Sequence, residues 1–484
     1  MLSKPSRIFD RDVEWRHLAG FGSLVAGRPR LGVVSGRRRQ GKTYLVEALA
    51  RESGGCYFGA TQATESESLR LFGDAVGRAV SVPVPPRFVG WDEAIRYLFA
   101  VGGSLPGPVV IDEFPYLSKA SPALASILQR EIDRAVADGT AISLILCGSA
   151  MSVMGGLLAG NAPLRGRANL ELVVRPFDYP LAAQYWEVTD PRLAVALHAV
   201  VGGTPAYRRF VNDDTPQDLA DFDDWVLRTV LNPASPLFRE ARYLLEEEAE
   251  VRDTALYHSV LAAVAHGNGT RGGIAGYIGR RAADIGHHLN VLEDCGLLRR
   301  ESDVFRSGRS RYRVAEPLIT FYHVVMRPQW GLLESGRAAP VWTDAAARFS
   351  AQVLGPHFEQ ICREFALAAA ARLFGTLPGE VGAGVVADPA RRSQIEVDVV
   401  VFAPTAPGTP RRILSLGEAK WGDVLGARHV DRLRRARDLL AERGYDTRDT
   451  VLTCYSAAGF DPDLSVPGDH VLTVGLDSLY EVLS

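Results

Sequence analysis

The sequence is poor in lysine, cysteine and net charge, and each shortage excludes a class of protein. Only four lysines stand beside 50 arginines in 484 residues, so an arginine is weak evidence for a special role and a lysine carries more weight. The five scattered cysteines form no CxxC pair and no zinc spacing with histidine, which predicts free thiols in a reducing cytosol. A formal net charge of −3 excludes a global basic field, so any nucleic-acid surface must be local.

Long apolar runs and targeting segments are also missing. The first ten residues lack the apolar core of a signal peptide. The longest uncharged stretch, Gly139 to Leu164, is broken by serine, asparagine, proline and glycine, which is unlike a membrane span. We therefore expect a cytoplasmic chain without a membrane span, and the length predicts about three domains.

Short apolar runs and longer amphipathic segments alternate over the first 200 residues. Strands are predicted at 31–36, 56–60, 108–114 and 141–150, with a helix over 43–54 after the first strand. Uncharged runs of this kind are typical of parallel strands covered on both faces, so the predicted fold class is α/β.

The character of the sequence changes twice farther along the chain. Helix formers, including EEEAE at 246–250, dominate after about residue 215, and an α/β pattern returns near residue 345. Linkers are predicted near 210–220 and 328–342. These changes predict three domains, over residues 1–215, 216–335 and 336–484.

The segment from Gly36 to Thr43 fits the phosphate-loop pattern GxxxxGK[ST]. It follows an apolar strand and precedes a helix, where backbone N–H groups and the helix N-terminus can hold phosphate. In this pattern Lys42 reaches the β- and γ-phosphates and Thr43 binds Mg²⁺; the alternative is a glycine-rich surface turn. The predicted nucleotide-binding residues of this loop are Gly36, Arg37, Arg38, Arg39, Gln40, Gly41, Lys42 and Thr43.

A second set of polar residues follows the later strands of this region. Asp112 would bind Mg²⁺ beside the loop, and Glu113 would orient and polarise the attacking water. Ser149 ends the next strand, where it either touches the γ-phosphate or caps the strand. Arg165 and Arg167 could stabilise charge in the transition state, although arginine is common in this chain.

The blocks GRRRQGKT, VVIDEFPYL, CGSAMSVM, PLRGR, RPFDY and GGTPAY follow one another in this order over residues 32–207. Together they resemble the archaeal-type ATPase family, a branch of the AAA-like P-loop NTPases. The resemblance implies an additional-strand P-loop fold, ATP rather than GTP, and Arg167 as the arginine finger. AAA-like relatives often assemble in rings, so it also implies a possible homo-oligomer that supplies this arginine in trans.

Residues 255–315 fit a winged helix-turn-helix. A helix beginning near Ala282 has an apolar face, and a wing follows with its tip at 306–310. Nine arginines stand against five acids between residues 271 and 313, a local surplus that could meet DNA phosphates. The alternative is a protein-binding or lid module. The side chains that could face a major groove are Arg280, Arg281, His287, His288 and Asn290.

The C-terminal third holds a second group of chemically active residues. Asp398 lies on one predicted strand, and Glu418 and Lys420 are two apart on the next, so that their side chains point the same way. Two carboxylates and a lysine can hold Mg²⁺ and activate a water against a phosphodiester, and Glu359 could add an acid. Strand alternation predicts Ile395, Val397, Val399 and Val401 on one face and Glu396 and Asp398 on the other.

The spacing D-x₁₉-E-A-K resembles the PD-(D/E)XK nuclease superfamily. The resemblance implies that Asp398 and Glu418 bind the metal, that Lys420 positions the nucleophile or stabilises charge, and that Glu359 is an extra ligand. No proline immediately precedes Asp398, a departure that the superfamily tolerates. The alternatives are a nuclease-like fold that binds without cutting and a solvated pair of acidic strands.

The expected function is an ATPase coupled through a winged-helix region to a metal-dependent nuclease that acts on DNA. One alternative is an ATP-dependent switch or scaffold whose later domains bind a partner or DNA without cutting. Another is a transcription regulator that binds DNA through the winged helix.

Overall fold

The protein is seen here in a computed structural model. It describes residues 2–23, 27–246, 254–406, 408–464 and 470–481. Of the predicted EEEAE run, residues 247–250 lie outside the described residues.

Five parallel strands form the first sheet. They are β1 (Arg30–Ser35), β2 (Cys56–Gly59), β3 (Val109–Asp112), β4 (Ser143–Gly148) and β5 (Ala168–Val173). Their order is β2-β3-β4-β1-β5, so β4 is inserted between β1 and β3 as an additional-strand P-loop fold requires. The predicted α/β class is confirmed for this region.

Both faces of this sheet are covered, which explains why its central strands are uncharged. Val33, Ile111 and Leu146 belong to one buried apolar cluster, whereas Val34 and Val110 belong to another on the opposite face. The helices of this region are α1 (Asp12–Ser23), α2 (Lys42–Ser53), α3 (Glu65–Ala79), α4 (Trp91–Gly102), α5 (Phe114–Ala120), α6 (Leu124–Asp138), α7 (Met151–Gly156), α8 (Tyr179–Tyr185), α9 (Pro191–Val201) and α10 (Ala206–Phe210).

Helices and one hairpin make up the middle of the chain. The last helix begins at Gly286 rather than near Ala282, because Arg271 Nε donates to the Ala282 carbonyl (2.7 Å) and residues 282–285 form a turn. The elements are α11 (Leu219–Arg228), α12 (Pro236–Glu246), α13 (Thr254–Ala265), α14 (Arg271–Ile278), α15 (Gly286–Asp294), β6 (Leu298–Ser302) and β7 (Ser310–Val314).

The segment predicted as a linker near 328–342 is largely helical. A 3₁₀ turn, Arg327–Gln329, lies at its start, and two π-helical turns, Tyr322–Met326 and Phe349–Leu354, lie on either side of it. The α-helices here are α16 (Pro317–Phe321), α17 (Trp330–Glu334), α18 (Ala338–Arg348) and α19 (Gly355–Phe374).

A mixed five-stranded sheet forms the C-terminal region. Its elements are β8 (Glu380–Asp388), β9 (Ser393–Phe402), β10 (Ile413–Lys420), α20 (Ala427–Glu442), β11 (Val451–Ser456), a 3₁₀ turn (Pro462–Leu464), β12 (Val471–Val474) and α21 (Leu476–Glu481). The order is β12-β11-β10-β9-β8, with β8, β9 and β10 antiparallel and β10, β11 and β12 parallel.

The predicted alternation along β9 is wrong at its centre. Ile395 and Val397 pack in one apolar cluster, but Val399 and Val401 pack in the cluster on the other face. The pairing with β8 shifts register between Gly382 and Gly384, which is a β-bulge, and an extra residue in β9 exchanges the faces there. The bulge falls at Asp398.

One apolar cluster extends from Tyr179 to Leu479 and crosses both predicted domain boundaries. The boundaries at 215/216 and 335/336 therefore stay predictions. All five cysteines are buried and free, as expected: Cys56, Cys147, Cys295, Cys362 and Cys454.

Candidate functional site

The phosphate-loop segment joins the end of β1 to the start of α2, and two glycines give it its shape. Gly36 has φ +148°, and a Cβ there would lie 2.3 Å from the Val174 carbonyl oxygen, so a side chain is excluded. Gly41 has φ +87° and immediately precedes the helix. The loop thus turns back over the helix N-terminus, the geometry that anion binding needs.

Lys42 lies inside this loop. Its Nζ donates to the Arg37 carbonyl at 2.8 Å, and the residue is only 4% exposed. Burial lowers the pKa of Lys42, although the Glu113 and Asp112 carboxylates act in the opposite direction. The Lys42 ammonium donates to a carbonyl and forms no ion pair with a carboxylate in the described part of the chain, so its charge is available to an anion. Thr43 follows in the first turn of α2 and is exposed.

The acidic pair, Asp112 and Glu113, lies at the end of β3, which is the neighbour of β4 in the sheet. Asp112 is buried and accepts hydrogen bonds from Tyr57 Oη (3.0 Å) and the Glu113 amide (2.9 Å). Glu113 has φ +50°, a left-handed conformation that is uncommon for glutamate and concentrates at functional sites. Ser149 at the end of β4 donates to Glu113 Oε2 at 3.1 Å, so the structure brings these predicted residues together.

Tyr57 is a site residue that sequence reasoning missed. Burial raises the pKa of its phenol, and the neighbouring Asp112 carboxylate raises it further, so Tyr57 remains a hydrogen-bond donor. Tyr57 lies on β2, next to β3 in the sheet, an order that no residue pattern near Tyr57 indicates.

The other predicted loop residues contact distant parts of the chain. Arg37 forms a buried ion pair with Glu316, directly after β7, and Arg39 forms one with Glu240 of α12 at 2.7 Å. Arg38 donates to the Tyr116 hydroxyl (3.1 Å), and Gln40 donates to Thr204 of the GGTPAY block (3.0 Å). The loop therefore connects the first sheet to the middle region.

Arg167 lies apart from these residues within one chain. Its guanidinium forms a bidentate pair with Asp133 of α6, with both N–O distances 2.8 Å, and contacts the Pro163 and Arg165 carbonyls. Arg165 donates to the Gly160 carbonyl. These contacts join Arg167 to neither the loop nor the acidic pair, and its role at a nucleotide stays a prediction.

The second candidate site lies between β9 and β10. Lys420 Nζ is 3.2 Å from Asp398 Oδ2 and 3.0 Å from Glu418 Oε1. Asp398 Oδ2 also accepts from the Ala419 amide (3.0 Å), and Arg432 of α20 reaches Glu418 Oε1 at 3.2 Å. The structure thus brings the predicted Asp398, Glu418 and Lys420 together. Arg432 was missed because helix α20 carries many arginines without a distinguishing motif.

One oxygen in this second site lacks a partner. Glu418 is 0% exposed, and its Oε2 has no hydrogen-bond donor among the described residues. A buried carboxylate oxygen without a donor is costly unless a cation or a polar ligand meets it. Asp398 and Glu418 therefore offer two carboxylate ligands to a divalent cation, whose other positions would have to be filled by water or substrate.

Glu359 is held away from this pair. It lies 3.3 Å from Arg313 and 3.9 Å from Arg363, and burial together with the Asp398 charge raises its pKa. Across the described residues, no three carboxylate, imidazole or thiol groups cluster closely enough to hold an ion. The predicted role of Glu359 as a ligand stays a prediction.

Several known proteins are similar to this chain, although no protein-family model matches it. An uncharacterized protein of Methanocaldococcus jannaschii is 26% identical over 337 residues, 69% of this chain and 72% of that protein. The Walker-type ATPase of Pyrococcus abyssi has a TM-score of 0.51 and 19% identity, covering 66% of this chain and 97% of that chain. Over the covered part, this chain shares the fold of that ATPase. The ORC2 protein of Aeropyrum pernix is a looser match, with TM-score 0.40, 15% identity, and coverage of 72% of this chain and 100% of that chain.

The residues predicted to meet DNA lie around the turn before α15 and on its exposed face. Arg280, Arg281, His287 and Asn290 are exposed, and His288 is half-buried with its ring 4.9 Å from the Tyr257 ring. In the predicted wing, Val304 is buried in the apolar cluster of the C-terminal sheet, whereas Ser307, Gly308 and Arg309 of the predicted tip are exposed. The turn, the exposed face of α15 and the exposed residues of the predicted wing tip are therefore accessible to a nucleic acid.

Among the described residues, none of the helices is both long and apolar enough to cross a membrane.

Proposed function

We propose that the protein binds and hydrolyses ATP at the loop between β1 and α2. The observation that carries this proposal is the buried Lys42 ammonium, which sits inside the loop without a carboxylate partner, beside the Asp112–Glu113 pair of β3. A loop of this shape with a free internal cation favours a polyphosphate over any neutral ligand.

Mg²⁺ fits the donor set beside this loop. Asp112 Oδ2 accepts from Tyr57 and Oδ1 from the Glu113 amide, a carboxylate has about four lone-pair sites in all, and Thr43 offers a hydroxyl in the first turn of α2. When bound, Mg²⁺ neutralises charge on the β- and γ-phosphates. Tyr57 and the Glu113 amide hold the Asp112 carboxylate in place for this role.

Glu113 is the proposed base of the reaction. Its carboxylate orients the attacking water and accepts its proton as the bond to the γ-phosphorus forms. Ser149 donates to this carboxylate and fixes its direction. The left-handed backbone of Glu113 supports the proposal, since such conformations persist where function requires them.

The test is phosphate release from ATP with Mg²⁺, comparing the wild type with Lys42→Ala. The expected result is a loss of about 100-fold or more, the cost of removing one preorganised donor to transition-state charge. Lys119→Ala is the matched control because Lys119 is an exposed lysine of α5. Hydrolysis by Lys42→Ala at the wild-type rate would contradict the proposal.

A second candidate function is metal-dependent cleavage of a DNA phosphodiester at the C-terminal site. It is favoured by the buried Glu418 Oε2, which has no donor among the described residues, next to Asp398 and Lys420. Asp398 and Glu418 would hold Mg²⁺, which when bound lowers the pKa of a water and polarises the phosphate. The antiparallel and parallel pairing around β10 supports the nuclease-like class.

Lys420 contributes charge rather than proton abstraction in this scheme. Burial disfavours its ammonium form, but the Asp398 and Glu418 carboxylates outweigh burial and raise the pKa of Lys420. The side chain therefore stays protonated near neutral pH and can stabilise negative charge that develops on a phosphate oxygen.

Plasmid nicking tests this candidate, with Mg²⁺ or Mn²⁺, with and without ATP. We expect nicking by the wild type and by Lys119→Ala but not by Lys420→Ala, with hydrolysis of ATP unchanged in all three. Nicking that persists in Lys420→Ala, or no nicking under any condition, would favour an ATP-dependent switch or scaffold instead.

DNA contact through the middle region is proposed on narrower grounds. Four exposed polar side chains, Arg280, Arg281, His287 and Asn290, lie together at the start of α15, where a recognition helix presents its N-terminal residues. A gel shift with Arg280→Ala is expected to show weaker binding than the wild type. Sequence-specific binding without cleavage would favour the transcription-regulator alternative.

A further inference from the structure

The hairpin β6–β7 is seated on the C-terminal sheet at its tip. The Val304 amide donates to the Ala383 carbonyl (3.1 Å), and the Val385 amide donates to the Asp303 carboxylate (3.3 Å to Oδ2). Gly384 makes this approach possible, because a Cβ there would lie 2.4 Å from the Phe305 ring. Asp303, Val304 and Phe305, at the start of the turn, therefore pack against β8, whereas Ser307, Gly308 and Arg309 are exposed.

The same hairpin faces acidic residues at the C-terminal site. Arg313 lies 3.3 Å from Glu359, and Arg311 lies 2.8 Å from Glu396, two residues before Asp398. A cavity of about 430 Å³ is lined by Arg311 and Arg313 on one side and by Glu359 and Asp398 on the other. The hairpin is thus one wall of a cavity that borders Asp398.

The end of this hairpin is attached to the phosphate loop. Val314 ends β7, and two residues later Glu316 forms its buried ion pair with Arg37. The pair is incompletely satisfied, since Arg37 Nη1 and Glu316 Oε1 are buried and have no hydrogen-bond partner in the described part of the chain. A second cavity, of about 720 Å³, borders Arg37, Glu316, Arg313 and Glu359 together.

An arginine of the loop with one unsatisfied nitrogen can change partners. A polyphosphate in the loop would place several negative charges beside the Arg37 backbone, and charge-assisted hydrogen bonds from a guanidinium to phosphate are strong. Phosphate would then compete with Glu316 for Arg37. Loss of that contact would leave Glu316 a buried, unpaired carboxylate, which is unstable unless the segment moves.

We propose that the β6–β7 hairpin is a gate over the C-terminal carboxylate site, held closed by the Arg37–Glu316 pair and released when a nucleoside triphosphate occupies the phosphate loop. This inference rests on the ATP-binding and cleavage functions proposed above, and it identifies the hairpin as the element that couples the two sites. Release of the hairpin frees Glu359 from Arg313 and widens the approach to Asp398.

Hydrogen–deuterium exchange at the tip tests the gate directly. The amides of Val304 and Val385 are protected by the bonds that seat the hairpin, so a non-hydrolysable ATP analogue with Mg²⁺ is expected to speed their exchange about tenfold. Calorimetry on the same sample measures whether the analogue binds. Glu316→Gln is expected to give the faster exchange without any nucleotide.

Glu240→Gln is the matched control. Glu240 is also a buried partner of a loop arginine, but it belongs to α12 and not to the hairpin, so its variant should keep the slow exchange at Val304 and Val385. Bound analogue without faster exchange, or equal exchange in the two variants, would overturn the gate. If no analogue binds, the ATP proposal fails, and the Glu316→Gln sample still decides whether this pair holds the hairpin.

Nicking measures the consequence at the far site. Without ATP, Glu316→Gln is expected to nick plasmid about tenfold faster than the wild type if the hairpin limits access, because access is then no longer linked to nucleotide. Equal nicking rates in the two proteins would overturn the gate. A complete absence of nicking in both would contradict the cleavage function, while the exchange measurement still decides the gate.

Discussion

Two of the four lysines stand at the centres of the two candidate sites, and their surroundings differ. Lys42 donates to a loop carbonyl and has no carboxylate partner in the described part of the chain, whereas Lys420 lies within 3.2 Å of both Asp398 and Glu418. The first site has a free internal cation and suits an anion. The second site has a buried carboxylate oxygen, Glu418 Oε2, without a hydrogen-bond donor among the described residues and suits a cation. The groups that surround each lysine therefore indicate the charge of the ligand better than the lysine itself does.

The largest expected effect is a difference in the free energy of unfolding between the Lys420→Ala and Lys42→Ala variants. Lys420→Ala removes the cation between two buried carboxylates and should lower the free energy of unfolding by about 3 kcal/mol. Lys42→Ala removes one hydrogen bond to a carbonyl and should cost at most about 1 kcal/mol. Urea denaturation followed by tryptophan fluorescence, with Trp421 next to Lys420, measures both; equal costs would remove the distinction.

A smaller effect is expected from the tyrosine that holds the Asp112 carboxylate. Tyr57→Phe deletes the 3.0 Å hydrogen bond and should slow ATP hydrolysis about tenfold, which corresponds to about 1.4 kcal/mol, with ATP binding nearly unchanged. Tyr116→Phe is the control because its hydroxyl contacts Arg38 instead. Phosphate release and calorimetry measure the two quantities. If both variants behave alike, Tyr57 has no particular role at Asp112.

The contact between the N-terminal helices and α19 should depend on pH. His198 Nδ1 lies 2.8 Å from His357 Nε2, and burial lowers the pKa of His198 to about 4 and lowers that of His357. Both rings are therefore neutral when folded but protonate near pH 6.5 when unfolded, so stability is complete above that pH and falls as the pH decreases toward 4.

We expect the free energy of unfolding to fall by on the order of 1 kcal/mol between pH 7 and pH 5 because of this pair. The effect is limited because both rings border a cavity, where solvent screens the charge. The shift in Tm between these pH values should be smaller in His198→Gln than in the wild type. An identical shift in the two proteins would show that other groups control the acid response.

The smallest expected effect concerns the predicted DNA-contacting surface. Arg281 pairs with Asp284 at 2.9 Å on an exposed turn, so Arg281→Ala should leave the unfolding free energy almost unchanged. If this surface meets DNA phosphates, the same change should reduce the slope of log K against log salt by about 1. A salt titration of DNA binding checks it, and an unchanged slope would remove Arg281 from the interface.

Much of the first site could be predicted from the sequence because its residues are local to strand ends. Gly36, Lys42 and Asp112 each follow or end an apolar strand, and parallel strands bring their carboxyl ends to one edge of a sheet. Tyr57 could not be identified, because nothing in the chain near it indicates that its hydroxyl meets Asp112.

For the second site, the sequence predicted which residues meet but not the backbone conformation around Asp398. Asp398, Glu418 and Lys420 meet as expected, yet the bulge at Asp398 comes from pairing with Gly382 and Gly384 of β8, which no local pattern encodes. The seating of the hairpin on β8 was missed for the same reason. It depends on contacts between segments about 80 residues apart.

The central claim is that the loop and the acids beside it hydrolyse ATP, and Glu113→Gln tests it most directly. The substitution keeps the size of the side chain and removes the base, so the variant should bind ATP with an affinity within about twofold of the wild type and hydrolyse it about 100-fold more slowly or worse. Calorimetry and phosphate release on the same preparations give both numbers. Hydrolysis at the wild-type rate, or no ATP binding by either protein, would contradict the account.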